Sequence, residues 1–141
     1  MTRKAAITWV LIVPIAILNG FVRRAVLEPA VGDFRAHQIS VATATVAFLA
    51  LIYAMLHGDV AREDDRRLLG IGVAWVGATV IFEFAFGRYV TGASWGELLK
   101  DYNMPAGRLW PVVLVVLLIS PLLVKRWVTR HPGAPLETGR A

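Results

Sequence analysis

Apolar residues fall along this chain in long blocks separated by short polar stretches. The blocks are Ala5 to Val22, Ile39 to Leu56, Leu68 through Phe82 to Gly87, and Leu109 to Val124, with Glu83 the single charge inside them. A bilayer span takes about 20 mostly apolar residues, within a working range of about 17–25. The pattern predicts transmembrane helices over about 5–27, 38–57, 67–87 and 108–127. Such a chain has no room for a soluble domain. Residues 1–127 form one all-α membrane domain, and 128–141 a polar, Pro/Gly-containing tail expected to be mobile.

Between the third and fourth blocks the pattern changes. Ser94-Trp95-Gly96-Glu97 has the S-x-x-E spacing of a capping box, in which Ser94 and Glu97 would each satisfy the other's backbone N–H. Trp95, Leu98, Leu99 and Tyr102 follow at i, i+3, i+4 and i+7, one face of a helix. The expected element is a short interfacial helix over about 94–102, lying apolar face down before the fourth span. Asn103 to Gly107 would then turn the chain.

Small residues predict how the spans pack, because helices in lipid associate where backbones can approach closely. Gly70, Ala74 and Ala78 form such a stripe on the third span, with Gly77 beside them; Ser40, Ala44, Ala47 and Ala54 form one on the second. Glu83 falls opposite the first stripe, on the face of Gly72, Val76 and Thr79. Trp110 and Trp127 bracket the fourth span, about 26 Å apart on a helix, and are expected as interface anchors. Pro14 and Pro121 read as mild kinks.

Composition agrees. Of 141 residues 57% are hydrophobic, and the mean hydropathy is +0.60. The net charge of +5 would suggest nucleic acid in a soluble chain; here it reports Lys and Arg flanking the spans, and no nucleic-acid role is expected. The MTRK start is followed by a run long for a signal-peptide core and lacking a small-x-small cleavage site, so it is read as the first span. Nine Lys and Arg fall on the side of the N-terminus, the 57–67 loop and the tail, against six on the other. That bias predicts both termini in the cytoplasm. The 57–67 loop reads as an ordinary solvated turn.

The unusual polar residues gather at the opposite end, the outer-leaflet half. A pocket there would be walled by Asn19, Arg23, His37, Glu83, Tyr102 and Arg108. A carboxylate in lipid must be paired, hydrogen-bonded or protonated, and Arg23 is the first candidate partner for Glu83, with Arg24 or Arg88 next. Ser94, Glu97, Trp110 and Trp127 are assigned structural roles. No catalytic set, metal site or cofactor is expected. His37 and His57 flank the second span about 30 Å apart, too far for one chain to ligate a haem twice. Asp33 and His37 could share a metal at i, i+4, but Asp33 serves equally as an N-cap. There is no cysteine, no glycine-rich phosphate loop and no zinc-protease motif. The leading reading is a non-enzymatic protein that binds or passes a small anionic or zwitterionic solute or lipid head group. It would act as a homo-oligomer, since four short helices make a poor pore alone. The alternative is an accessory subunit of a larger membrane complex.

The segments AILNGFVRR, RAHQIS and FEFAFGRYVTGASWGELLKDYNMPAGRLWP resemble those of small four-span bacterial inner-membrane proteins of uncharacterised function. The resemblance covers most of the chain from the first span through the fourth. It implies a bacterial inner-membrane location and supplies no reaction. Its pattern would place an acidic residue after the first Arg, where this chain has Arg24.

Overall fold

The computed structural model describes residues 1–131 and is all-α. Helix α1 (Thr2–Val22) passes through a π-helical turn (Arg23–Leu27) into α2 (Glu28–Val31), making one rod that ends at Gly32. Then come α3 (Asp33–Leu56), a 3-10 turn (Val60–Arg62), α4 (Asp65–Tyr89), the short α5 (Trp95–Lys100), a second 3-10 turn (Met104–Ala106) and α6 (Trp110–Arg130). Four helical segments, Thr2–Val31, Asp33–Leu56, Asp65–Tyr89 and Trp110–Arg130, are long and apolar enough to cross a membrane, which is a multi-pass topology. Among the tail residues, 128–130 belong to α6; from 132 onward the tail lies outside the described residues.

The helices outrun the apolar blocks because polar residues continue them at the rims. The π turn has a local cause. A proline inside a continuous α-helix lacks an N–H and clashes with the carbonyl four residues back, which for Pro29 is that of Ala25. The wider turn, with Glu28 N–H bonded to the Arg23 carbonyl, relieves that clash just before Pro29.

α1 packs along α3, α3 on α6, and α6 along α4, while α1 and α4 meet over only a short stretch. Two indoles make that contact: Trp75 Nε1 donates to the Ala5 carbonyl and Trp9 Nε1 to Thr79 Oγ1, each at 3.1 Å. Ile12, Phe48, Ile52, Leu68, Trp75 and Leu117 are buried at the centre. Leu18, Phe21, Val46 and Ile81 are exposed on the outside, the arrangement expected of a bilayer-facing surface. The expected close contact of the third span is displaced by two residues. Gly70 and Ala74 are exposed; Gly72 lies against α6, where a Cβ would stand 1.9 Å from the Leu118 carbonyl oxygen. On α3, Ser40 and Ala44 are buried as expected, but Ala54 is exposed.

The end carrying the N-terminus is tied by charge, which corrects the reading of the 57–67 loop as a plain solvated turn. Lys4 reaches Asp59 at 2.5 Å, and Lys125 reaches Asp65 at 2.5 Å and the Glu63 carbonyl at 2.7 Å. Lys4 holds the Asp59 carboxyl below its ordinary range.

Candidate functional site

The opposite end is built differently. Arg23, in the π turn, donates from Nη1 to Asp101 Oδ2 at 2.8 Å, and its Nε lies 3.8 Å from Glu28 Oε1. That Nε is buried and has no hydrogen-bond partner. His37, 1% exposed on the first turns of α3, accepts the Leu109 N–H on Nε2 at 2.9 Å. A backbone N–H can only donate, so Nε2 carries the lone pair and the neutral ring's hydrogen sits on Nδ1. Nδ1 in turn faces Asp101 Oδ1 at 3.4 Å, with Arg23 Nη1 3.2 Å away. Asp101 therefore serves both groups, and Arg108 approaches its Oδ1 at 3.8 Å.

Arg108 is 6% exposed and grips both oxygens of Asp33, which also takes Lys100 at 2.9 Å. The Asp33 hydrogen bonds raise the Arg108 pKa further. So Asp33 does not cap α3; Gly32 occupies the N-cap position, and the Asp33 carboxylate is spent on Arg108 and Lys100. Asp33 and His37 look to different partners, and no group of three or more potential metal ligands occurs among the described residues. Gly107 sets Arg108 in place: its φ of +77° favours glycine, and a Cβ there would lie 2.6 Å from the Phe34 ring.

Glu83 is not paired with an arginine, which corrects the expected partner. Tyr102 Oη donates to its Oε2 at 2.6 Å and Trp110 Nε1 to the same oxygen at 2.8 Å. Neutral donors satisfy one oxygen of the carboxyl, Oε2, while Arg23 is drawn away to Asp101. Burial, then the hydrogen bond to Glu83, pushes the Tyr102 phenol well above its ordinary value, so it remains a donor. Trp110, expected at the lipid interface, turns its indole N–H inward; Trp127 stands exposed, stacked on His131. Asn19 joins α1 to α3 by donating to Ser40 Oγ at 2.6 Å and accepting from Thr43 Oγ1 at 2.9 Å.

α5 closes this end. The capping box is formed: Glu97 N–H donates to Ser94 Oγ, and Ser94 N–H to Glu97 Oε2 at 2.7 Å. The helix stops at Lys100, short of the expected 102, because the chain turns at Asp101 to aim that carboxylate at Arg23 and the Tyr102 hydroxyl at Glu83. Leu98 seats against Gly87, and Trp95 stacks on Phe84. The Ser94 bonds hold the Glu97 carboxyl below its ordinary range. The cap is therefore complete above the normal carboxylate range and is lost as pH falls through the lowered value. Ser94→Ala is expected to raise amide exchange over 95–100 by about fivefold, from a cap of about 1 kcal/mol, and to leave the four long helices unchanged.

A cavity of about 570 Å³ lies between α1, α3 and α4 beneath α5. Ala16, Val41, Ala44, Phe48 and Phe82 line its apolar part; Asn19, Arg23, His37, Ser40, Glu83 and Asp101 line its polar part. Of the six residues expected at a pocket, Asn19, Arg23, His37 and Glu83 thus share one wall. Tyr102 stands behind Glu83, and Arg108 behind Asp101 and Asp33. Asp101, Ser40 and Trp110 also line the cavity and were not singled out for it. Their polar atoms were visible in sequence, but nothing local marked which way they face.

No protein-family model, curated protein or solved structure matches this chain.

Proposed function

We propose that this is a non-enzymatic membrane protein that binds an anionic or zwitterionic head group at the Arg23 end of the cavity, with an apolar body in the part below. The observation that carries this reading is a cavity of about 570 Å³ whose wall brings Arg23 and Arg24 together with Asn19, His37, Ser40 and Glu83 beside an apolar part. Ligand sites of about 300–1,000 Å³, mostly apolar with a few converging polar groups, are the usual form. The Lys and Arg bias supports both termini in the cytoplasm, an orientation in which the cavity would lie in the outer-leaflet half; the resemblance of its segments to small bacterial inner-membrane proteins supports that membrane.

A second reading, an accessory subunit or a homo-oligomer, is favoured by Gly70, Ala74 and Gly77, small residues left exposed on α4. The two are compatible, since that face lies away from Glu83.

The binding role is tested by thermal unfolding of the detergent-solubilised protein with added dodecyl phosphate. A ligand at a hundred times its Kd stabilises by about 2.7 kcal/mol, so Tm should rise in the native chain and not in Arg23→Gln. Equal rises in both, or none in either, would reject the site.

A further inference from the structure

We infer that the ligand is a zwitterionic aminophospholipid, carrying a phosphate oxyanion and a primary ammonium on a hydrocarbon body, and that it enters sideways from the bilayer between α1 and α4. This rests on the binding role proposed above and specifies the chemistry that role would select.

The polar wall offers groups of opposite kind. Arg23 and Arg24 bring two guanidiniums to it. Glu83 receives both of its hydrogen bonds on Oε2, and among the described residues no donor reaches Oε1. Arg23 and Arg24 line the same cavity as Glu83, Glu97 and Asp101. A purely anionic head group would meet three carboxyl groups there, and a purely cationic one two guanidiniums. A head group with both signs places its phosphate on the arginines and its ammonium on the carboxyls. The ammonium needs N–H bonds to reach Glu83 Oε1, so a primary amine fits and a trimethylated one does not.

The cavity also has the shape of a chain site. It is lined along α4 from Thr79 to Gly87, about 12 Å of helix, against about 30 Å for the whole hydrocarbon thickness. Its floor is apolar, with Ala44, Phe48 and Phe82. Ile17 and Phe21 line it and are also 40% and 67% exposed, so the cavity reaches the outer face of α1. Of the two indole contacts between α1 and α4, Ala5–Trp75 lies away from the cavity and Trp9–Thr79 at its lower edge; above Thr79, among the described residues, no hydrogen bond or ion pair joins α1 to α4. A free zwitterion from water would use the polar wall and leave this apolar length unexplained.

The full chain would be placed in nanodiscs of phosphatidylcholine containing equal minor fractions of phosphatidylethanolamine and phosphatidylglycerol. Lipid retained after gentle release would be counted by native mass spectrometry. The native chain should retain the ethanolamine lipid about tenfold over both others, the ratio expected for a charge-assisted hydrogen bond of about 1.5 kcal/mol. Glu83→Gln should remove the preference over the glycerol lipid, and Arg23→Gln should lower retention of all three. Ala16→Phe, which fills the apolar part and touches none of these polar groups, should abolish retention while its Tm in lipid-free detergent equals that of the native chain; this readout survives if the polar variants fail to fold. Equal retention of ethanolamine and glycerol lipids, or a preference that persists in Glu83→Gln, overturns the zwitterion. If the glycerol lipid is retained and then lost in Arg23→Gln, the binding role stands without it. Saturation by free phosphoethanolamine at the lipid's own affinity overturns lateral entry. No retained lipid in any arm rejects both the inference and the binding role.

Discussion

Gly72→Val is expected to destabilise this protein more than any other single substitution in its apolar regions. Even the first carbon of a side chain at that position would stand 1.9 Å from the Leu118 carbonyl oxygen and 2.8 Å from its carbon. Both obstacles are backbone, so relief requires α4 and α6 to separate along their shared face, the most extensive helix contact in the molecule. Overpacking a core commonly costs about 1–3 kcal/mol, and a backbone-to-backbone clash belongs at or above the top of that range, about 3 kcal/mol or more. Gly72→Ala should already show most of it. Gly70→Ala, one half-turn away with nothing within 4 Å, should be neutral or slightly stabilising because alanine is the better helix former. Unfolding in mixed detergent micelles with increasing sodium dodecyl sulfate compares the three directly. A Gly72→Ala midpoint equal to that of Gly70→Ala would mean that α4 and α6 do not pack as described.

The second large effect is expected at Asp101, the one carboxylate shared by Arg23, His37 and Arg108. Its Oδ2 takes the Arg23 hydrogen bond at 2.8 Å; its Oδ1 faces His37 Nδ1 at 3.4 Å and Arg108 at 3.8 Å. Asp101→Ala leaves Arg23, which is largely buried, with only the distant Glu28, and leaves the His37 Nδ1 hydrogen without an acceptor. Removing one side of a buried charged hydrogen bond costs about 2–3 kcal/mol in a partly exposed site such as this. The same micelle unfolding should show that loss. Asp101→Asn, which keeps an acceptor for His37 but not the charge, should fall between the native chain and the alanine variant. If Asp101→Ala unfolds with the native midpoint, the cluster contributes nothing to holding α5 over the cavity.

The four long helices were legible because each apolar block is as long as a bilayer is thick. Their ends were less so: the first span was expected to stop near 27, but Glu28 continues the rod, and Pro29 is accommodated by a widened turn rather than by a break. The start of α5 was readable from Ser94 and Glu97, where spacing and chemistry coincide. Its end was not, because Tyr102 keeps the helical period while its hydroxyl is used elsewhere. The small residues of α4 were recognisable as a packing signal, but spacing cannot choose between the Gly70 face and the Gly72 face; the partner, Leu118, decides. The clustering of Asn19, Arg23, His37 and Glu83 followed from counting spans, which places span ends on one side or the other. Pairings within that cluster did not follow. Arg23 and Asp101 are 78 positions apart, and the sequence showed a buried acid and a nearby base without showing that neutral Tyr102 and Trp110 stand closer.

The central claim is that the cavity beneath α5 is a ligand site whose polar wall begins at Arg23. Native mass spectrometry of the full chain, released gently from the membrane of its own host, tests it most directly. The native chain should carry a bound mass of phospholipid size, absent from Ala16→Phe prepared in the same way. A native chain that carries no added mass, or one whose added mass is unchanged in Ala16→Phe, would contradict it.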